Sequence, residues 1–180
     1  MNGPELPFFV YGTLRPGEQN HTLLLLGRTA AEEPARWTGA VLYEGPGYPY
    51  AVEPGGTGGT GGTGGTGGTG GTGGTGGTGG TGGADGTGPG ADRGAVVVGE
   101  LLTAAPGEYG PLLAELDELE EYIAPGHPRN LYERVTRDVL RADGTAIRAW
   151  VYLAAPAQAL ELRRNGTPVP GGDWCARPVG

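Results

Sequence analysis

A glycine–threonine repeat divides the chain and limits how it can fold more than any other feature. Residues 55–83 consist of nine Gly-Gly-Thr triplets followed by two glycines. The repeat carries no apolar side chain and no charge, so it cannot bury a hydrophobic face, and we expect it to be disordered. Because the entropic cost of loop closure grows only logarithmically with length, a domain tolerates such a tract as a loop between two paired strands.

The sequence outside the repeat suits one globular domain. The repeat contains 20 of the 40 glycines, and the rest of the 180 residues have an ordinary size and composition for a single domain. We predict one domain over residues 4–180, with an inserted low-complexity Gly/Thr loop at 54–93 and a C-terminal extension at 155–180. The alternative is that the repeat serves as a spacer or interaction tract, in which case deleting 55–83 would abolish partner binding.

The charged residues and the single cysteine exclude several classes of function. The net charge is −8, from 20 acidic and 12 basic residues, and no basic face stands out, so we expect no nucleic-acid partner. Cys175 is the one cysteine, which rules out an internal disulfide and a multi-cysteine metal site. No apolar stretch approaches the roughly 20 residues needed to span a membrane, and nothing resembles a signal peptide. We therefore expect a cytoplasmic protein with no membrane contact.

The order of predicted elements indicates a mixed α+β domain. Strands alternate irregularly with a few helices, and the Asp143-Gly144 pair is a strong hairpin signal. Asn20 is a candidate N-cap for the first helix. The pattern predicts strands at 6–11, 36–43, 48–52, 95–102, 131–141 and 145–153, and helices at 21–26, 106–122 and 156–164. This order favours a compact α+β fold such as a small barrel over a doubly wound sheet.

One carboxylate in the longer helix falls on the apolar side. With Leu112 set at 0° and a step of about 100° per residue, the apolar stripe is centred at about 30° and consists of Leu112, Leu113, Leu116 and Leu119. Glu120 lies at about 80°, between Leu113 and Leu116. Desolvation raises the pKa of such a carboxyl group toward the range useful for proton transfer. Three interpretations remain open: Glu120 is a general acid/base, it forms a structural salt bridge with an arginine such as Arg134, or the helix ends before residue 120.

The remaining candidate residues offer little chemistry. His21 and His127 lack a neighbouring nucleophile or ligand pattern, and Cys175 has no activating neighbour in its Pro/Gly-rich surroundings. The chain contains no serine, no HExxH motif, no P-loop and no dinucleotide fingerprint, so we expect neither a metal nor a cofactor. If the protein is an enzyme, its chemistry depends on a carboxylate and on backbone groups.

A set of short motifs occurs in a particular order along the chain. The motifs are Tyr11-Gly12-Thr13-Leu14-Arg15 followed by Asn20-His21, Gly99-Glu100-Leu101, the stretch Leu116 to Tyr122, Leu131-Tyr132-Glu133-Arg134, Ala149-Trp150-Val151-Tyr152 and Gly172-Asp173-Trp174. Each motif is short, but their order and spacing together resemble those of the γ-glutamylcyclotransferase-like family, in its AIG2-like or γ-glutamylamine cyclotransferase branch.

The resemblance implies a fold, a reaction and a site. The fold would be a compact mixed α/β barrel, and Glu120 would be the general acid/base. Tyr11, Gly12, Thr13 and Leu14 would bind the substrate through backbone donors.

The implied reaction is a cyclising acyl transfer that needs no cofactor. A γ-glutamyl group closes to 5-oxoproline and releases an amino acid, a lysine side chain from an isopeptide, or an amine of a natural product. The alternative is a non-catalytic module of the same fold that binds a small carboxylate.

Overall fold

A computed structural model of the chain describes residues 4–55 and 95–177, which contain seven strands and three α-helices. The predicted Gly/Thr loop lies outside the described residues, apart from its first two positions. In chain order the elements are β1 (Phe8–Val10), α1 (Gln19–Leu24), β2 (Thr29–Trp37), β3 (Val41–Glu44), β4 (Pro49–Val52), β5 (Val97–Ala104), α2 (Tyr109–Leu119), β6 (Tyr132–Arg141), β7 (Ala146–Ala154) and α3 (Pro156–Asn165), followed by a 3₁₀ turn at Pro170–Gly172.

Five of the strands close into a barrel, in the order β1-β5-β2-β6-β7. Neighbouring strands are antiparallel except β1 and β7, which run parallel with Phe8 opposite Trp150 and complete the ring. Strands β3 and β4 form a separate antiparallel pair. The predicted fold class, a compact mixed α+β barrel with a few helices, is confirmed.

Some predicted boundaries are wrong. The strand predicted at 36–43 is two strands in different sheets, because the chain bends at Thr38-Gly39 between β2 and β3. Asn20 does not cap α1: the helix begins one residue earlier, and the Asn20 side chain donates a hydrogen bond to Thr13 Oγ1 (2.9 Å). The repeat does not join paired strands, since β4 and β5 belong to different sheets.

The core has two parts because β1 is buried on both faces. Phe9 packs in a cluster to which all five barrel strands contribute, and this cluster fills the barrel. Phe8 and Val10 point the opposite way, into a second cluster that includes Leu112 and Leu116 of α2. A strand buried on both faces needs a continuous apolar run rather than an alternating pattern, which explains the composition of the first strand.

The C-terminal segment contributes to the same core. Helix α3 buries Ala159 and Leu162 in the cluster outside the barrel. Beyond it, Val169 and Trp174 are buried in the barrel cluster. The segment predicted as an extension from residue 155 therefore packs against the barrel over its described length. Among the described residues, no helix has the length and hydropathy needed to cross a membrane.

A nearly buried arginine joins three distant parts of the chain. Arg15, which follows the corner after β1, forms a two-pronged ion pair with Glu100 of β5 (2.6 and 2.9 Å) and a third contact with Asp173 (2.5 Å). Burial disfavours the arginine charge, but the two carboxylates outweigh this effect and raise the pKa of Arg15. Because removing one partner strands a buried charge, this cluster is a strong constraint on the fold.

We expect Glu100→Gln to lower the free energy of unfolding by about 2 kcal/mol, because the amide leaves the Arg15 charge only partly compensated. The exposed pair between Arg148 and Asp138 (3.0 Å) supplies a matched control, and Asp138→Asn should cost less than about 0.5 kcal/mol. Urea unfolding of both variants measures the difference. Equal losses would contradict a special role for the Arg15 cluster.

Candidate active site

A cavity of about 290 Å³ lies where the end of β1, the β3–β4 turn, the end of α2 and strands β6 and β7 meet. Every residue predicted to form the site lines it: Tyr11, Gly12, Thr13, Leu14 and Glu120. The structure therefore brings the N-terminal corner and the carboxylate of the distant helix to one place. Their roles in substrate binding and catalysis remain predictions.

The end of α2 places Glu120 at the cavity. Helix α2 ends at Leu119, so the prediction of a helix extending to 122 is wrong by three residues and the alternative of an earlier end is correct. The backbone N–H of Glu120 still donates to Leu116 O (2.9 Å), so Glu120 keeps the direction that the helical repeat gives it. It therefore remains on the apolar side although it lies just beyond the helix.

A Schellman motif follows Glu120 and terminates the helix. Tyr122 N–H donates to Asp117 O (2.8 Å) and Glu121 N–H donates to Glu118 O (3.2 Å), which is the pair of bonds that defines this cap. Glu121 occupies the left-handed position, with φ of 51°, where glycine is the usual residue. The cap fixes both glutamates at the cavity.

The Glu120 carboxyl group has no hydrogen bond or ion pair within the part of the chain that the structure describes. Arg134 binds Asp117 instead (2.5 Å), so the salt-bridge interpretation of Glu120 does not hold. Burial without a partner raises the pKa of Glu120 to about 8. The negative end of the helix dipole acts in the same direction, because it disfavours a nearby carboxylate.

The corner after β1 has free donors and occupied acceptors. The carbonyl of Gly12 accepts from Arg15 N–H (3.0 Å), and the carbonyl of Thr13 accepts from His21 N–H (3.3 Å). The N–H groups of Gly12, Thr13 and Leu14 find no acceptor within residues 4–55 and 95–177. Unpaired backbone donors beside a cavity are suited to an anionic ligand.

Two residues of the corner, Tyr11 and Gly12, have structural roles that the sequence did not reveal. The Tyr11 hydroxyl donates to Tyr152 O (2.6 Å) and accepts from Ala51 N–H (3.3 Å), so it ties the corner to β7 and β4. Burial, and next the charge of Glu120, raise the pKa of Tyr11, which keeps the hydroxyl protonated. Gly12 packs against Pro49: a Cβ there would lie 2.7 Å from the proline ring.

Aromatic and polar residues that sequence reasoning did not select complete the walls. Tyr48, Tyr132 and Tyr152 line the cavity together with Gln19 and Asn20. The Tyr132 hydroxyl donates to Pro49 O (2.8 Å) and the Tyr152 hydroxyl donates to Asp117 Oδ1 (2.7 Å), so both rings are held in place. Tyr132 and Tyr152 occur in the motifs that resemble the family, and this membership could have indicated that they belong to the site.

The described residues contain no group of three or more His, Cys, Asp or Glu side chains that could hold a metal ion. The cavity instead presents an unpaired carboxyl group, backbone donors and tyrosine rings. Such a site can bind a small zwitterion and move a proton within it.

The family model described as gamma-glutamyl cyclotransferase, AIG2-like, matches residues 8–62 and 84–176. The chain belongs to this family. The match includes the β1 corner, α2 and the Glu120 position, so the family sequence pattern covers both sides of the cavity.

Individual relatives are more distant. The Gamma-L-glutamyl-butirosin B gamma-glutamyl cyclotransferase of Niallia circulans is 27% identical over 156 residues, which is 86% of this chain and 70% of the relative. The crystal structure of YkqA from Bacillus subtilis superposes with a TM-score of 0.52 at 22% identity, covering 94% of this chain. The chain spans 39% of the length of YkqA. An AIG2-like protein from Mus musculus gives a TM-score of 0.49 at 19% identity, covering 85% of this chain and 81% of that one.

We expect Glu121→Gly to stabilise this family member by about 0.5–1 kcal/mol, because relief of the left-handed backbone outweighs the extra flexibility of glycine. Glu121→Ala is the matched control, since alanine loses the same side chain but keeps the strained φ. Thermal unfolding of the two variants measures the difference. If the glycine variant is no more stable than the alanine variant, the backbone at residue 121 is not strained.

The raised pKa of Glu120 also predicts a pH dependence of stability. The folded state binds this proton more tightly, so its stabilising contribution is complete below about pH 4.3 and is lost as the pH rises through about 8. The stability difference between Glu120→Gln and the wild type should therefore grow in favour of the variant by about 4 kcal/mol between pH 4.5 and 8.5, because each pH unit between the two pKa values changes the free energy of unfolding by ~1.4 kcal/mol. Urea unfolding at pH 4.5 and 8.5 measures it, and a constant difference would contradict the raised pKa.

Proposed function

We propose that the chain is an enzyme that cyclises the γ-glutamyl group of an amine or amino-acid conjugate to 5-oxoproline and releases the amine, with Glu120 as general acid/base. One observation supports this most: the unpaired Glu120 carboxyl, with its pKa near 8, shares a cavity with free backbone donors. The family and the name of the Niallia circulans relative also support a γ-glutamyl cyclotransferase.

The reaction is a transfer within one substrate molecule. The α-amine nitrogen attacks the γ-carbonyl carbon, a new C–N bond closes the five-membered lactam, and the original amide C–N bond breaks. The substrate supplies its own nucleophile, and neither water nor an oxidant is consumed. The enzyme therefore gains most of its rate by holding the glutamyl chain folded, with the amine close to the carbonyl carbon. Binding energy then covers the entropic cost of orienting the two groups before the reaction begins.

The proton balance assigns Glu120 two consecutive roles. As the ionised carboxylate it takes the proton that the α-amine loses when the new bond forms. It then delivers that proton to the nitrogen of the departing amine. A pKa near 8 serves both steps, because general acid/base catalysis is most effective when the pKa lies near the working pH.

The β1 corner would hold the anionic part of the substrate. The amides of Gly12, Thr13 and Leu14 are available for the α-carboxylate or for the oxyanion that develops at the γ-carbonyl. Tyr11 acts as a positioning residue, since both bonds of its hydroxyl go to backbone groups of neighbouring strands.

We expect Glu120→Gln to reduce 5-oxoproline release by about 10²–10⁴-fold, the usual contribution of a general acid/base. Glu118→Gln is the control, because Glu118 is exposed at the same helix end and does not line the cavity. The measurement is mass-spectrometric detection of 5-oxoproline from γ-glutamyl conjugates of an amino acid, the lysine side chain and a diamine.

The pH profile distinguishes proton transfer from a structural effect. The wild-type kcat/KM should rise with pH through a limb near 8, the pKa of Glu120, and the residual rate of Glu120→Gln should lack this limb. Full turnover by the glutamine variant would disprove the assignment. Conjugates that bind to the wild type without turnover would favour the non-catalytic binding module.

A further inference from the structure

We propose that the leaving amine carries a second ammonium group, as in a diamine or an amino sugar, and that Glu121 selects substrates by binding this charge. The inference rests on the proposed function and deepens it. The charges of the cavity, the pairing of the nearby arginines and the backbone conformation of Glu121 each support it.

The cavity walls carry negative charge only. Glu120 and Glu121 are the two charged residues among the described residues that line it, and neither arginine nor histidine contributes to its surface. Glu121 is exposed to solvent and also lines the cavity. A leaving group with a carboxylate would therefore meet one or two negative charges and no compensating cation.

Two arginines that are close in sequence to cavity residues are paired with carboxylates. Arg15 is bound by Glu100 and Asp173, and Arg134 is bound by Asp117. Partners at 2.5–2.6 Å compensate both charges. The Nε atom of Arg134 is buried without a hydrogen-bond partner among the described residues, but neither arginine lines the cavity, so they offer little attraction to a further carboxylate there. The free backbone donors of the β1 corner are needed for the α-carboxylate of the glutamyl group itself.

The same wall offers features that stabilise a cation. The end of α2 presents the negative pole of the helix beside the two glutamates. Tyr48 and Tyr132 line the cavity, and aromatic rings attract ammonium groups. The net charge of −8 also favours the approach of a cationic substrate over that of an anionic one.

The left-handed backbone conformation of Glu121 supports a functional role for its side chain. Its φ of 51° places a long, charged residue where glycine would relieve the strain. No hydrogen bond or ion pair within the described parts of the chain involves this carboxylate. Strained residues cluster at functional sites, where stability is exchanged for a required side chain. Glu121 combines this strain with a position in the cavity wall.

Three conjugates of equal length isolate the charge at the far end of the amine. They are the γ-glutamyl amides of 1,4-diaminobutane, n-pentylamine and 5-aminopentanoate, which end in an ammonium, a methyl and a carboxylate group. For the wild type we expect kcat/KM to fall in that order, by about threefold to fivefold at each step, as one exposed charge pair provides. The differences in kcat/KM between the three conjugates should become smaller as ionic strength rises, because salt screens the charge of Glu121.

Glu121→Gln keeps the size and backbone strain of the side chain and removes its charge. It should lower kcat/KM for the diamine conjugate about threefold to fivefold, raise it similarly for the carboxylate conjugate, and leave the pentylamine conjugate within about twofold. Glu118→Gln removes an equal charge from the same helix end outside the cavity, and it should leave all three ratios unchanged.

A binding measurement separates this inference from the proposed function. Calorimetric titration of Glu120→Gln and of Glu120→Gln/Glu121→Gln with the three conjugates reports the charge preference without turnover. Absence of 5-oxoproline with every conjugate would overturn the proposed function. Equal affinities for the three conjugates, or a preference that survives the loss of Glu121, would overturn the role of Glu121.

Discussion

The three-way ion cluster around Arg15 is the interaction on which the rest of the structure depends. It joins the corner after β1 to the middle of β5 and to the segment beyond α3, three places far apart in the chain. The guanidinium is nearly buried, so its charge must be matched from both sides. Matching it aligns β5 beside β1 in the barrel and holds the C-terminal segment against the core. It also leaves the amides of the corner unoccupied beside the cavity.

The end of α2 is the second constraint, and it converts local helix geometry into a site. The Schellman cap stops the helix so that Glu120 enters the cavity and Glu121 stands at its edge. Both positions carry an energetic cost. Glu120 loses water without gaining a partner, and Glu121 adopts a backbone conformation that suits glycine. The fold can sustain these costs because two apolar clusters support the barrel from inside and outside.

The ion pairs formed by charged residues near Glu120 determine whether its carboxyl group is free to exchange a proton. Arg134 lies between the rings of Tyr122 and Trp150, 5.0 and 4.8 Å from their centres, and its charge is directed to Asp117. Burial raises the pKa of Glu120, and no ion pair with Arg134 opposes that effect. The protein thus separates a structural carboxylate, Asp117, from an unpaired one, Glu120, which lies three residues further along at the end of the same helix.

Much of the fold follows from patterns that are local in sequence. The apolar run of β1, the Asp143-Gly144 hairpin between β6 and β7, and the apolar stripe of α2 predicted a mixed α+β domain. The resemblance of the short motifs to a known family added the barrel. Errors occurred where long-range pairing decides the outcome. Residues 29–35 were not recognised as strand, because their small and acidic side chains become strand through pairing with β5.

The sequence by itself determined that Glu120 faces the apolar side of α2, because the helical repeat sets that direction and the last helical hydrogen bond preserves it. Only the tertiary structure decided that Arg134 binds Asp117 and that the β1 corner lies at the same cavity as Glu120. It also decided that no arginine or histidine lines the described cavity wall. The physical reason is that ion pairing and desolvation depend on which distant segments meet, and periodicity within one segment carries no information about that.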